Sequence, residues 1–173
     1  FKKLLAKGKK TRFGKEHYFG KIVNHEDFSR QVPVRDYEGL KKYIKLITVG
    51  EKDVLWPGRP IYFAKTSGTT SGEKLIPITK ESMPYHVKGS VEATMHYINE
   101  TSNTSFLNKK IIFLQGSPLL GEIKGVKTGR LSGIVAHYTP SFLRQNKMPS
   151  CKTNCIEDWE QKVLEISYET LKE

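Results

Sequence analysis

One loop of the sequence has the composition of an anion-binding site. It runs from Thr66 to Lys74, Thr-Ser-Gly-Thr-Thr-Ser-Gly-Glu-Lys, between short apolar runs at 61–64 and 75–78. Glycines let the backbone approach a ligand closely, successive N–H groups can cradle phosphate oxygens, and hydroxyls and a lysine add donors and charge. The predicted phosphate-binding residues are Thr66, Ser67, Gly68, Thr69, Thr70, Ser71, Gly72 and Lys74. The alternative is a solvated hairpin loop rich in Ser, Thr and Gly.

The spacing of this loop differs from that of a Walker A motif. Walker A has four residues between its glycines, and its Lys-Ser/Thr pair opens a helix. Here three residues separate Gly68 from Gly72, and Pro77 lies three residues after Lys74 among β-branched residues. Because proline and β-branched side chains favour an extended chain, the sequence predicts a strand–loop–strand hairpin.

The loop resembles the ATP-phosphate loop of the adenylate-forming superfamily. The common form there reads Ser/Thr-Ser-Gly-Thr-Thr-Gly-x-Pro-Lys, whereas this chain has an additional Ser71 and no proline before the lysine. With these departures the loop is similar to that of the auxin-responsive Gretchen Hagen family, the acyl acid–amido synthetases, and of its bacterial homologues. Segments 11–15, 28–44, 55–58 and 63–65 also resemble that family's N-terminal region in order and spacing.

The resemblance implies an ATP-dependent ligase. Such an enzyme uses ATP and Mg²⁺ to convert a small carboxylic acid into an acyl-adenylate, and then transfers the acyl group to an amine, usually that of an amino acid. No catalytic side chain is assigned, because the chemistry needs no enzyme nucleophile, and no metal-ligating residue is assigned. In relatives the helix after the loop lines the acyl pocket, which makes Thr94, Met95 and Ile98 candidates for that pocket. A Met/Ile stripe at this spacing is more often part of a plain core.

Two other functions are compatible with the residues. An acyl-CoA synthetase-like ligase would use a thiol as acceptor in place of an amine. A basic nucleic-acid-binding module is the alternative from another class, because the net charge is +11 and residues 1–15 hold seven lysines and arginines and no acid. The remainder has no aromatic–basic stripe and no zinc or helix-turn-helix spacing, so nucleic acid is not the expected partner.

The apolar patterns predict an α/β fold with a mostly parallel sheet covered by helices. The pattern places helices over residues 1 to about 9, after Asn24, from Asp36 to near Gly50, after Thr79 and around 159–170. Residues 111–114 read as a buried strand. The glycine-rich segment 116–133 reads as a long irregular connection, either functional or disordered.

The resemblance also leads us to expect a fragment. Residues 1–173 would be the N-terminal portion of the large adenylating domain, without the C-terminal domain and inactive alone. No run of 18 apolar residues occurs, so no membrane span is predicted. Cys151 and Cys155 are expected to be free thiols in a reducing cytoplasm, in preference to half a metal site or a redox pair.

Overall fold

The computed structural model describes residues 1–66, 72–139, 144 and 146–173. The chain forms two compact units, one of residues 1–61 with 123–126 and the other of residues 62–122 with 127–173. The helices of the first unit are α1 (Lys2–Gly8), α2 (Arg12–Glu16), a 3₁₀ turn (Phe19–Lys21), α3 (His25–Gln31) and α4 (Tyr37–Thr48).

The second unit contains the strands. In chain order its elements are β1 (Tyr62–Lys65), β2 (Leu75–Ile78), α5 (Met83–Thr101), a 3₁₀ turn (Ser105–Asn108), β3 (Ile111–Ile112), β4 (Gly121–Ile123), β5 (Val126–Arg130), α6 (Leu131–Ala136), β6 (Lys147–Met148), α7 (Cys151–Asn154) and α8 (Trp159–Leu171). The tip of the β4–β5 hairpin groups with the first unit.

Side-chain caps fix the helix starts of the first unit. Asn24 accepts a hydrogen bond from the Asp27 N–H while the Asp27 carboxylate accepts from the Asn24 N–H, which completes a capping box at α3. The Asp36 carboxylate accepts from the Gly39 N–H at 2.9 Å and opens α4. Both predicted starts are therefore confirmed. The apolar stripe of α4 contributes Tyr43 to the core, where this residue is 1% exposed.

A polar cluster around Glu16 stabilises the packing of α2 on α4. The Tyr43 hydroxyl donates to the Glu16 carboxylate, and Arg12 and Lys42 approach the same carboxylate at 3.2 and 3.4 Å. The hydrogen bond from Tyr43, with the two cations, lowers the pKa of Glu16 to about 2. The folded state therefore holds this group ionised to a lower pH than the unfolded chain does.

We expect Glu16→Gln to destabilise the protein in a pH-dependent way. A lowered folded-state pKa contributes stability above the ordinary value of 4.5, and that stability is lost as pH falls towards 2. The loss in the variant near pH 7 should be about 1 kcal/mol or less, because the carboxylate is partly exposed. Denaturant unfolding of both proteins between pH 7 and pH 2.5 measures it. Glu38→Gln, at an exposed Glu38–Lys41 pair, is the control. A gap between wild type and Glu16→Gln that stays constant with pH would contradict the assignment.

The sheet of the second unit has the strand order β2-β1-β5-β4. Strand β1 pairs antiparallel with β2 and parallel with β5, and a separate two-stranded sheet pairs β3 and β6 in parallel. The Thr128 hydroxyl donates to the Phe63 carbonyl at 3.1 Å inside the core. The α/β class is thus confirmed, and the sheet in the described part of the chain is mixed.

The glycine-rich segment 116–133 is not the predicted irregular connection. It contains the β4–β5 hairpin and the start of α6. Lys124 and Gly125 both have positive φ, 49° and 80°, as the two-residue turn of a tight hairpin requires. Alternating burial of Val126 and Thr128 in β5 completes the strand pattern. An irregular connection was predicted because the many glycines were given more weight than this alternation.

Two further predictions are wrong in detail. Helix α5 begins at Met83, with Ser82 in the N-cap position and without a side-chain cap hydrogen bond. Thr79 lies one turn earlier, where it and Ser82 exchange hydrogen bonds. The buried strand predicted at 111–114 is only two residues long, because β6, its one partner strand in the described part of the chain, pairs with Ile111 and Ile112 alone. Leu114 is 62% exposed. Among the described helices none is long and apolar enough to cross a membrane.

Candidate functional site

The predicted strand–loop–strand hairpin is present. Strands β1 and β2 pair from Tyr62↔Ile78 to Lys65↔Leu75, directly on either side of the predicted phosphate loop. Phe63 is fully buried and Ile78 is nearly so, which anchors both strands in the core of the second unit. A loop placed between two strands held in this way has a fixed base.

Two hydrogen bonds close the base of the loop. The Thr66 N–H donates to the Lys74 carbonyl at 3.0 Å, and the Lys74 N–H donates to the Thr66 hydroxyl at 3.4 Å. Gly72 has φ +79°, a left-handed conformation that side-chain-bearing residues rarely adopt. Ser67, Gly68, Thr69, Thr70 and Ser71 lie outside the described residues, so their phosphate-binding role stays a prediction.

An ion pair lies at the base of the loop. Glu73, which stands where the common adenylate-forming loop has proline, lies 3.1 Å from the Lys65 ammonium. The negative charge next to Lys74 is therefore matched by a cation from β1. Because the pair is exposed, it contributes little stability. It offsets the negative charge of Glu73 beside Lys74.

The candidate acyl-pocket residues lie on α5. Thr94 is half-buried, and its hydroxyl donates to the Ser90 carbonyl of its own helix at 3.0 Å. Met95 is 59% exposed, and Ile98 is half-buried. In the described part of the chain Thr94, Met95 and Ile98 are not buried in a core. Their role in an acyl pocket stays a prediction.

A cavity of about 420 Å³ lies in the second unit, and we call it the basic cavity. Its walls come from residues that follow β3, from the end of α6 and the residues after it, from β6, and from α7 with the two residues before it. The residues that line it are Phe113, Gln115, Pro118, Ala136, His137, Thr139, Arg144, Lys147, Met148, Pro149, Ser150, Cys151 and Asn154. Among the described residues of the lining three have basic side chains and none is aspartate or glutamate, and the volume of the cavity suits a small molecule.

Hydrogen bonds hold the basic residues in place. The His137 ring contacts the Pro118 carbonyl through Nε2 at 2.9 Å. Arg144 donates through Nε to the Thr139 carbonyl at 2.8 Å and through Nη2 to the His137 carbonyl at 3.3 Å. The Lys147 ammonium lies 4.7 Å from the centre of the Phe113 ring, and burial lowers its pKa.

Sequence reasoning did not single out the basic cavity. It assigned no role to His137, Gln115 or Lys147. Cys151 and Cys155 are free cysteines, as expected. Within the described ranges no three His, Cys, Asp or Glu side chains are grouped so that they could hold a metal ion.

Comparisons with known proteins agree on one family. The model of the GH3 family N-terminal domain matches residues 1–172. The indole-3-acetic acid-amido synthetase GH3.15 of Arabidopsis thaliana is 35% identical over 89 residues, which are 50% of this chain and 15% of that protein. The putative indole-3-acetic acid-amido synthetase GH3.10 of Oryza sativa subsp. japonica is 41% identical over 58 residues, 32% of this chain and 12% of that protein.

Solved structures show the same fold. A GH3.15 acyl acid amido synthetase matches with a TM-score of 0.72 and 20% identity, over 93% of this chain and 28% of that one. AtGH3.15 in complex with 2,4-DB matches with a TM-score of 0.69 and 22% identity, over 90% of this chain and 27% of that one. The chain thus spans less than a third of the length of these relatives. Because the model of the GH3 family N-terminal domain covers nearly every residue, the chain belongs to the GH3 family.

Proposed function

We propose that the protein carrying this chain activates a carboxylic acid with ATP as an acyl-adenylate and transfers the acyl group to an amine. The observation that carries the proposal is the closed hairpin between β1 and β2 in a member of the GH3 family. One relative is named as an indole-3-acetic acid-amido synthetase and another as a putative one. An amido synthetase joins an acid to an amine. The chain would supply part of the adenylating domain.

In this proposal the hairpin loop binds the phosphates of ATP. Thr66 and Lys74 fix the base of the loop, and Gly72 turns the backbone so that main-chain N–H groups can face an anion. The Lys74 ammonium would meet the negative charge that grows on the phosphates as pyrophosphate leaves. Residues 67–71 would add N–H and hydroxyl donors.

ATP and Mg²⁺ are the proposed cosubstrate and cofactor. The metal would neutralise phosphate charge when bound. Mg²⁺ is usually held by phosphates, waters and one or two carboxylates, so in this proposal the metal would be held mainly through ATP. The contribution of this chain is then to position the phosphates by hydrogen bonds and by the charge of Lys74.

The proposed partners are a small carboxylic acid and an amine or amino acid. An acceptor thiol, as in acyl-CoA synthetases, is the alternative within ligases. A direct experiment measures acid-dependent exchange of labelled pyrophosphate into ATP across a panel of carboxylic acids, with product analysis in the presence of amino acids or a thiol. Exchange without any acid in the panel, or amide formation without ATP, would refute the proposal. Cytoplasmic location stays a prediction.

Gly72→Ala should weaken ATP binding severalfold. A β-carbon at Gly72 meets no heavy atom of the described residues within 4 Å, and its φ of +79° opposes the change at roughly 1–2 kcal/mol of backbone strain. Gly58 has φ +77° and equally open surroundings, but lies outside the loop. Gly58→Ala is therefore a matched control that should lose the same stability and keep its ATP affinity. Equal ATP affinities of the two variants in titration calorimetry would argue against a phosphate role for the loop.

A further inference from the structure

The positive charge of the sequence is concentrated in the first unit. Residues 1–61 contain 15 lysines and arginines against 7 aspartates and glutamates, so they carry +8 of the net charge of +11. Within this range residues 1–15 hold seven of the cations and no acid, and they form α1, the turn after it and most of α2. Charge of one sign on so short a segment attracts an anionic partner.

An open depression of the first unit gathers part of this charge, and we call it the lysine patch. Its lining residues are all exposed, and they are Lys10, Arg12, Lys15, Glu16, Lys52 and Asp53. Two hydrogen bonds join the two segments that form it. The Arg12 N–H donates to the Asp53 carbonyl at 2.7 Å, and the Phe13 N–H donates to the Val54 carbonyl at 2.9 Å. The patch therefore has a fixed backbone.

The carboxylates of the lysine patch already have partners. Glu16 accepts a hydrogen bond from Tyr43 and pairs with Arg12. Asp53 accepts from the Gly58 N–H at 2.7 Å. Among the described residues no carboxylate pairs with the three lysines of the patch, Lys10, Lys15 and Lys52. Three ammonium groups around one depression repel one another, and an anion from outside would relieve that repulsion.

The chemistry of the lysine patch favours the surface of a membrane over a nucleic acid. Recognition of nucleic acids relies on arginine forks and on aromatic rings that stack with bases. The one arginine of the patch, Arg12, pairs with Glu16 and Glu51, and no aromatic side chain is found in the described lining. On the adjoining helix α1, Leu4 is 60% exposed and follows Lys3. An exposed leucine among lysines is typical of a helix that lies at a membrane interface.

We propose that the lysine patch, together with Leu4, binds the protein to the surface of an anionic membrane. The ammonium groups would lie against the phosphate and carboxylate groups of lipid headgroups, and Leu4 would enter the boundary with the acyl chains. Each lysine close to such a surface strengthens binding about fivefold. The attachment is peripheral, because none of the described helices is long and apolar enough to cross a membrane. It does not depend on the proposed ligase reaction.

Co-sedimentation of the intact protein with lipid vesicles tests the inference. The probes are vesicles of phosphatidylcholine alone and vesicles of equimolar phosphatidylcholine and phosphatidylserine. We expect the vesicles with phosphatidylserine to bind the protein at least about tenfold more strongly, and this binding to fall as salt is added, because salt screens the field of the surface. Equal binding to both kinds of vesicle, or binding to neither, would overturn the proposal.

Charge substitutions locate the contact on the protein. The triple variant Lys10→Gln, Lys15→Gln and Lys52→Gln should bind the vesicles with phosphatidylserine about a hundredfold more weakly. The matched control removes the same charge from three exposed lysines of the second unit and should change binding less than about threefold; these are Lys88, Lys109 and Lys152. Thermal unfolding of both variants verifies that they are folded. Equal losses in the two variants would show an effect of overall charge and would contradict the proposal.

Leu4→Ser and competing polymers separate a membrane from other anionic partners. The substitution leaves the charge unchanged and should weaken vesicle binding severalfold, because the apolar contact is lost. Neither duplex DNA nor polyglutamate should displace the protein from the vesicles when the polymer is added at the same concentration of negative charge as the phosphatidylserine. Displacement by either polymer, or vesicle binding unaffected by Leu4→Ser, would refute the proposal in favour of a nucleic acid or an acidic protein as partner.

Discussion

Lys74→Ala is expected to lower acid-dependent pyrophosphate exchange about tenfold to a hundredfold. One hydrogen bond to a charged group is worth roughly 1.5–3 kcal/mol, and each factor of ten corresponds to about 1.4 kcal/mol. The fold should survive, because both hydrogen bonds at the loop base use the backbone N–H and carbonyl of Lys74, which alanine retains. The loss should therefore appear in exchange and in ATP affinity, with an unchanged far-ultraviolet dichroism spectrum.

Two further substitutions make this measurement specific. Lys74→Arg keeps the charge and should retain more exchange than the alanine variant. Lys80→Ala removes an exposed lysine shortly after β2 and should leave exchange within twofold of wild type. If Lys74→Ala and Lys80→Ala lose the same small amount, the effect is one of overall charge and Lys74 does not contact the phosphates.

The parts of the fold that local patterns specify were predictable. Asn24 and Asp36 each accept from an N–H three residues on, so their caps can be recognised in a short window of sequence. The hairpin around 66–74 was likewise predictable, because β-branched residues flank a glycine-containing loop. The β4–β5 hairpin was missed, although Lys124-Gly125 and the alternation after it carried a local signal.

The basic cavity could not be predicted in the same way. Gln115 follows β3 and Lys147 lies in β6, and the parallel pairing of Ile111 with Lys147 and Ile112 with Met148 brings the two strands together. Parallel pairing joins segments that are distant in sequence, and no turn residue between them marks the register. The hydrogen bond between Tyr43 and Glu16 could not be predicted from a local pattern either, because two separate helices, α2 and α4, supply its partners.

The isolated 173-residue chain is expected to show no acid-dependent pyrophosphate exchange, a complete loss relative to the intact protein. The proposed reaction needs groups that hold adenine and ribose, and closure over the acyl-adenylate to exclude water. The chain spans 28% of the solved GH3.15 chain it matches, and in the proposed function it supplies the loop that binds the phosphates. A phosphate nest without an adenine pocket should bind ATP weakly, with a Kd of about 1 mM, which is about −4 kcal/mol.

Labelled pyrophosphate exchange with the isolated chain and with the intact protein, over the same panel of acids, measures the difference in activity. Calorimetry with ATP measures the residual binding. Any acid-dependent exchange by the isolated chain that Lys74→Ala abolishes would show that residues 1–173 hold a complete adenylating site.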